Sequence, residues 1–277
     1  RKYRKLAAAR FEEGNDLTGA GYGTLPYCDA EHDPNLVRIF LDVQRDYLNE
    51  RIYLAGALVQ ASENGQVDSQ RRRAIVELAG TPPDHAETER DLLIRFTSGV
   101  LRTIVELAAP DAEGRPRAPI HLVFYERGAL KALIEALGRH SDAVLGATAL
   151  YDFITQLAAF DSPLVSILSE EIRALKNYPI LAPSLHAVAR YLGFDWDEER
   201  PITTLFRSQV FDDVRPIDDT GEAWVTGRSR FSRNIPLEYA YNSWGKLPPL
   251  KDDSVSERAS YRSVERDDLL AFARRRL

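Results

Sequence analysis

Two strand-like runs lying close together constrain this chain more than any other feature. Leu36–Val43 (LVRIFLDV) and Arg51–Val59 (RIYLAGALV) are dense in β-branched, aromatic and other apolar residues. Runs of that kind suit strands buried on both faces, and the short stretch Arg45–Glu50 between them predicts a hairpin over 37–59. The next long segment changes period. From Glu87 to Ala108 apolar residues such as Leu92, Phe96, Val100 and Ile104 recur at helical spacing. Glu87, Glu89 and Asp91 stand where the partial positive charge of a first helical turn favours acids.

After a loop at Pro110–Pro119, Ile120–Tyr125 reads as a third strand and Gly128–His140 as a helix. Further helices are expected at 147–158, 166–176 and 184–192, the last ending at Gly193, and a closing helix at Arg262–Leu277. Strands followed by and alternating with helices predict a mixed α/β domain. The expected layout is a basic lead and Gly-rich connector over 1–35, a core over 36–200, and an extension over 201–277. That extension holds an Arg/aromatic segment and the closing helix.

Composition narrows the function classes. With 277 residues, 44% hydrophobic and 28% charged, the chain can bury a real core, which excludes disorder as its main state. One cysteine, Cys28, excludes an intramolecular disulfide framework and zinc sites built from several cysteines. The longest apolar stretch, Leu92–Ala109, is broken by Arg95, Arg102 and Glu106, short of the ~20 apolar residues of a membrane helix. A cytoplasmic protein with no membrane partner is therefore expected. The chain opens at Arg1 and contains no methionine, so a piece of a longer polypeptide is expected too.

Several chemistries leave no trace. There is no Gly-x-x-x-x-Gly-Lys-Ser/Thr phosphate loop, no Gly-x-Ser-x-Gly elbow and no His-Glu-x-x-His pair. No lysine follows an acid by two positions, which excludes the simplest acid-x-Lys nuclease site. The histidines (His32, His85, His121, His140, His186) show no metal-ligand spacing and read as surface or satisfied core groups.

Asp42 is the acid of most interest. It ends a strand expected to be buried, where a carboxylate needs a metal, a basic partner or solvent. Period-two geometry puts residues 42 and 44 on one sheet face, and two acids so placed could hold a divalent cation. Residue 44 is Gln, a weaker ligand for a hard cation. Taken alone, an Asp at a strand end is a weak signal, and an Asp that simply opens the turn toward Arg45 and Asp46 is the reading it favours.

A family resemblance rests on the order of several segments. FLDVQ (40–44), RIYLAGAL (51–58), ETERDLLIRF (87–96) and IHLVFYERGALKALIEALGRH (120–140) are followed by YDFITQL (151–157) and SLHAVARYLGFDW (184–196). RSRFSRNIPLEYAYNSWGKLP (228–248) comes later. In this order they resemble the RecB-like nuclease domains, of ribonuclease H-like fold, in large bacterial proteins that carry a superfamily 1 helicase. The resemblance spans about residues 36–277.

It implies a ribonuclease H-like mixed sheet flanked by helices, and a metal-dependent 3′–5′ exonuclease cutting DNA or RNA, the single-stranded form above all. Asp42, Glu126 and Asp268 (or its neighbour Asp267) would be the catalytic acids. With Gln44 they would hold Mg²⁺ or Mn²⁺, and Asp152 is a further acid of the family-like run. A helicase in the same polypeptide would be the partner. Gln44 in place of an acid weakens this set, so two alternatives stand beside it: a degenerate module that guides nucleic acid or braces a helicase, and an interaction domain with no nucleic-acid role.

Arginine clusters offer a separate nucleic-acid surface. Arg228, Arg230 and Arg233 interleave with Phe231 and precede Tyr239, Tyr241 and Trp244, a mixture suited to phosphate contact and base stacking. Arg71–Arg73 and Arg274–Arg276 are further candidates. Salt bridges within a chain of net charge −6 are the competing expectation.

Overall fold

The computed structural model describes residues 25–26, 28–46, 48–108, 114, 118–144, 164–180, 183–194, 240–241, 243–245 and 265–277. Their strands are β1 (Val37–Asp46), β2 (Arg51–Glu63), β3 (Gln66–Leu78), β4 (Ile120–Phe124) and β5 (Val165–Ile167). Their helices are α1 (Ala86–Leu107), α2 (Arg127–Arg139), α3 (Ser141–Val144), α4 (Leu168–Leu175), α5 (Leu185–Tyr191) and α6 (Arg266–Arg276). The fold is α/β, with one mixed sheet flanked by helices.

The five strands lie in the order β3-β2-β1-β4-β5. β1, β2 and β3 form an antiparallel meander, with Asp42 opposite Gly56 and Leu54 opposite Leu78. β4 runs parallel to β1, with Leu41 opposite Phe124, and β5 runs parallel to β4. β4 stops opposite Leu41, whereas β1 runs on to Asp46 against β2, so Asp42 lies within β1, one residue past its pairing with β4, and does not end the strand as the sequence suggested.

β1 states the logic of the core. Val37, Ile39, Leu41 and Val43 are all buried, and Leu41 meets Phe96 and Val100 of α1 and Leu133 and Leu137 of α2 in one apolar recess. Alternation turns Arg38, Phe40, Asp42 and Gln44 to the opposite face. There α6 lies against the sheet, and its Arg276 reaches Asp42. Leu269, Phe272 and Ala273 of α6 join the same apolar core, so the predicted extension helps to build the domain.

The predicted first hairpin, long helix, strand 120–125 and following helix match β1–β2, α1, β4 and α2 within a residue or two at most boundaries. Two strands were not anticipated. β2 runs on to Glu63 and turns through Asn64-Gly65 into β3, whose polar first half (QVDSQRRR) hides its strand character. The helix expected at 166–176 is shorter and is preceded by the three-residue β5. The helix expected at 147–158 lies outside the described residues.

Candidate functional site

The first-strand acid sits where two elements distant in sequence meet. Asp42 and Gln44 share a face of β1, as their spacing predicted, and the Gln44 side-chain amide donates to Asp42 Oδ1 at 2.9 Å. From the last turn of α6, Arg276 Nε donates to Asp42 Oδ2 at 2.7 Å, and its Nη2 leans on Oδ1 at 3.3 Å. This is a two-pronged fork on one carboxylate. The Arg276 side chain is 8% exposed and that of Asp42 18%. Burial alone would lower the Arg276 pKa, but the Asp42 carboxylate, aided by Tyr53 and Glu126, raises it above its ordinary value. A cation is thus held firmly inside the site.

The local sequence explains why this tail can seat. Gly56 faces Asp42 across the β1–β2 ladder, and a Cβ there would lie 3.2 Å from Leu277 Cδ1. The bare glycine leaves room for Leu277 beside Arg276. The register of β1 against β2 shifts between Gln44 and Arg45, an irregularity that ends regular pairing at the site.

Glu126, two residues past β4, takes the N-cap position of α2 with extended backbone (φ −126°, ψ 143°) and no side-chain cap bond, and its charge adds the smallest of the pulls that raise the Arg276 pKa. Asp267 and Asp268 sit in the first turn of α6. Eight residues of helix separate Asp268 from Arg276, about 12 Å along the axis at ~1.5 Å per residue. That first turn is fixed at the far edge, where Arg266 donates to the carbonyls of Leu78 and Ala79. Among the described residues no three acidic, His or Cys side chains converge as a metal would need, and Asp42, Glu126 and Asp268 are all described. The donor set around Asp42 is one carboxylate already bonded to a guanidinium and an amide, which does not fit a Mg²⁺ or Mn²⁺ centre.

The arginine candidates divide. Arg228, Arg230 and Arg233, with Phe231 and Tyr239, lie outside the described residues, as does Asp152. Trp244 packs instead of standing free: its indole N–H donates to the Ala79 carbonyl at 3.0 Å, and its ring meets Tyr53 and Tyr241 edge-on. Arg71 pairs with Glu63 and Arg73 with Glu106. Arg275 stacks over the Phe194 ring at 4.7 Å. Of the two described clusters, most members are committed to partners within the fold.

Sequence reasoning treated Glu89 as an ordinary first-turn acid, and it proves to be fully buried. Its carboxylate accepts from Ile52 N (2.6 Å), Arg139 Nη2 (2.8 Å) and Arg139 Nε (3.2 Å), and meets His140 Nε2 at 2.9 Å. Burial pushes its pKa up, but these bonds outweigh burial and hold it below the ordinary value. His121 is also buried, 2.7 Å from Ser166 Oγ. Burial first, then the nearby Arg38, lowers its pKa, against a smaller opposing pull from Glu171. His121 and His140, bonded to Ser166 and Glu89, are satisfied core groups of the kind expected for histidines without ligand spacing.

No helix among the described residues is long and apolar enough to cross a membrane. Comparison with protein-family models, with curated proteins and with solved structures gives no match.

Proposed function

We propose that this chain is a ribonuclease H-like module of a helicase-nuclease protein that does not cut, and that it guides a nucleic-acid strand past the helicase or braces it. The observation that carries this reading is the Arg276 fork on Asp42, which fills the position a catalytic cation would take. The strand arrangement supports the fold assignment. An antiparallel β1–β2–β3 meander continued by two strands parallel to β1 is what a ribonuclease H-like sheet calls for. The module's first acid would then be Asp42, within β1 and one residue past its pairing with β4.

A metal-dependent exonuclease would need Asp42 and Glu126 open to a cation, with a third acid beside them. Asp268 stands two helical turns away, and Gln44 donates to Asp42 where an acid would add charge. These features favour the non-cleaving form. Its nucleic-acid contact would fall to the Arg228–Arg233 segment.

The test is incubation of end-labelled single- and double-stranded DNA and RNA with Mn²⁺, beside Asp42→Asn and a chelator control. No cleavage is expected, with single strands retarded on a gel in a manner that salt abolishes. Intact substrate without retardation leaves the bracing role. Metal-dependent cutting that Asp42→Asn removes overturns the proposal.

A further inference from the structure

We infer that the exposed surface where the ends of α4, α5 and α6 meet binds a single-stranded nucleic acid, its bases stacking on aromatic rings and its phosphates meeting arginines. The inference deepens the strand-guiding branch of the function proposed above and rests on that reading for its choice of partner.

The surface starts from the way α5 ends. Gly193, in the left-handed region at φ 90°, donates to the Arg190 carbonyl at 3.1 Å, and Phe194 N donates to the Ala189 carbonyl at 2.9 Å. This pair of bonds is the glycine-centred stop that satisfies the last carbonyls of a helix. The chain turns there, and Tyr191, Leu192 and Phe194 stay 36%, 64% and 40% exposed. Single exposed apolar residues are ordinary, but several large ones side by side mark a contact surface.

The rings are held in place by their neighbours. Tyr191 lies against Tyr178, which follows α4, with ring centroids 4.9 Å apart. Arg275, from the last turn of α6, stands over the Phe194 ring, 4.7 Å from its centroid. These contacts bring the ends of α4 and α6 to the end of α5. Rings already ordered lose little further freedom when a base stacks on them.

Charge decides which occupant fits. The last turns carry Arg173 in α4, Arg190 in α5 and Arg274–Arg276 in α6, and no acid. Arg190 and Arg274 are exposed, and neither has an ion pair among the described residues. Basic last turns alone are ordinary, since they answer the helix dipole. Exposed rings set among them add what a single strand uses: π faces and a planar guanidinium for its bases, cations for its backbone. Asp195, Asp197, Glu198 and Glu199 follow in the sequence, outside the described residues, so a basic protein segment is the competing occupant.

The test is fluorescence anisotropy of the full chain with labelled oligothymidylate of about 20 nucleotides, in the presence of chelator. An abasic strand of equal length and a labelled oligolysine run beside it. Wild type should bind the thymidylate strand. Tyr191→Ala should weaken that binding about tenfold, the loss of roughly one stacked base, and leave abasic binding unchanged. Tyr191→Phe keeps the ring and should bind as wild type. Arg190→Gln/Arg274→Gln should weaken both strands and lower the salt slope by about 1.4, at ~0.7 per phosphate contact. The arginine pair reads the surface independently of any loosening of Tyr178 in Tyr191→Ala.

Three results overturn the inference. Absence of strand binding by wild type is one, and it leaves the bracing role. Strand binding unchanged in every variant is another, and it puts the strand elsewhere on the chain. Oligolysine binding that Tyr191→Ala abolishes, with no strand bound, makes the surface a protein interface. The non-cutting reading survives all three. Metal-dependent cleavage in the earlier assay removes that reading and leaves these measurements, made in chelator, to be judged alone.

Discussion

Asp42 and Arg276, 234 positions apart in the chain, are joined by a buried two-pronged ion pair that ties the last helix to the first strand. The two partners are not equally replaceable. Asp42 retains some solvent, so its charge can be hydrated after Arg276 is removed. Arg276 has almost none, and without Asp42 its charge is left in a low-dielectric pocket.

Removal of one partner from a buried pair costs about 3–5 kcal/mol, because the other charge stays uncompensated. Asp42→Asn should therefore approach that range, and Arg276→Gln should cost less. The double variant Asp42→Leu/Arg276→Met removes both charges and should recover most of the loss. Urea unfolding of the four chains checks this. Additive losses in the double variant would mean that the two side chains do not act as a pair.

Glu89 supplies a second buried charge with a different outcome on acidification. Its folded pKa lies below the ordinary value of 4.5. Its contribution is thus fully present above the unfolded pKa and is lost as pH falls through the depressed folded value. Glu89→Gln should cost about 2–3 kcal/mol at pH 7, less than a fully enclosed pair, since Arg139 can turn to water. Below about pH 4 the gap between variant and wild type should narrow. A gap that stays constant down to pH 3 would place the charge of Glu89 outside the balance.

His121 sets a separate and earlier window. Its folded pKa is depressed below 6.5 by burial beside Ser166 and by Arg38. As pH falls through about 6.5 the unfolded chain takes up a proton that the folded chain refuses, so stability declines by at most about 1.4 kcal/mol per pH unit. His121→Gln can keep a bond to Ser166 without titrating. Urea midpoints at pH 8, 6 and 5 should fall more steeply for wild type than for this variant. Parallel slopes would assign the acid sensitivity to other groups.

What the sequence disclosed, and what it hid, follows from the range of each interaction. The β1–β2 pair, α1, β4 and α2 announce themselves because apolar periodicity is local. So is the alternation that sets Asp42 and Gln44 on one face. Glu89 misled because its partners come from Ile52, 37 residues away, and from Arg139 and His140, 50 and 51 away. No local pattern separates it from Glu87. Arg276 was legible only as one of three basic residues at a helix end, a common feature of solvated last turns. The polar first half of β3 hid the strand, although the turn leading into it was legible. Asn64-Gly65 is a strong short-range hairpin mark, and Glu63 and Gln66 pair directly across it.

That turn yields a sharp test of how closely the β2–β3 hairpin is docked. Asn64 and Gly65 both adopt positive φ, 50° and 74°, as a two-residue hairpin with the sheet's twist requires. Gly65 N also donates to the Pro34 carbonyl at 2.8 Å, holding the turn against the 29–35 loop. A Cβ on Gly65 would run into the backbone of Asp29, lying 2.5 Å from its Cα, and backbone cannot step aside as a flexible side chain would. Gly114 has nearly the same φ, 76°, with nothing within 4 Å of an added Cβ. Gly114→Ala should therefore show only the strain of the left-handed backbone, roughly 1–2 kcal/mol. Gly65→Ala should lose at least about 1 kcal/mol more in urea unfolding, the excess coming from the forced separation of turn and loop. Equal losses at the two positions would mean that the Asp29 backbone does not press against the turn.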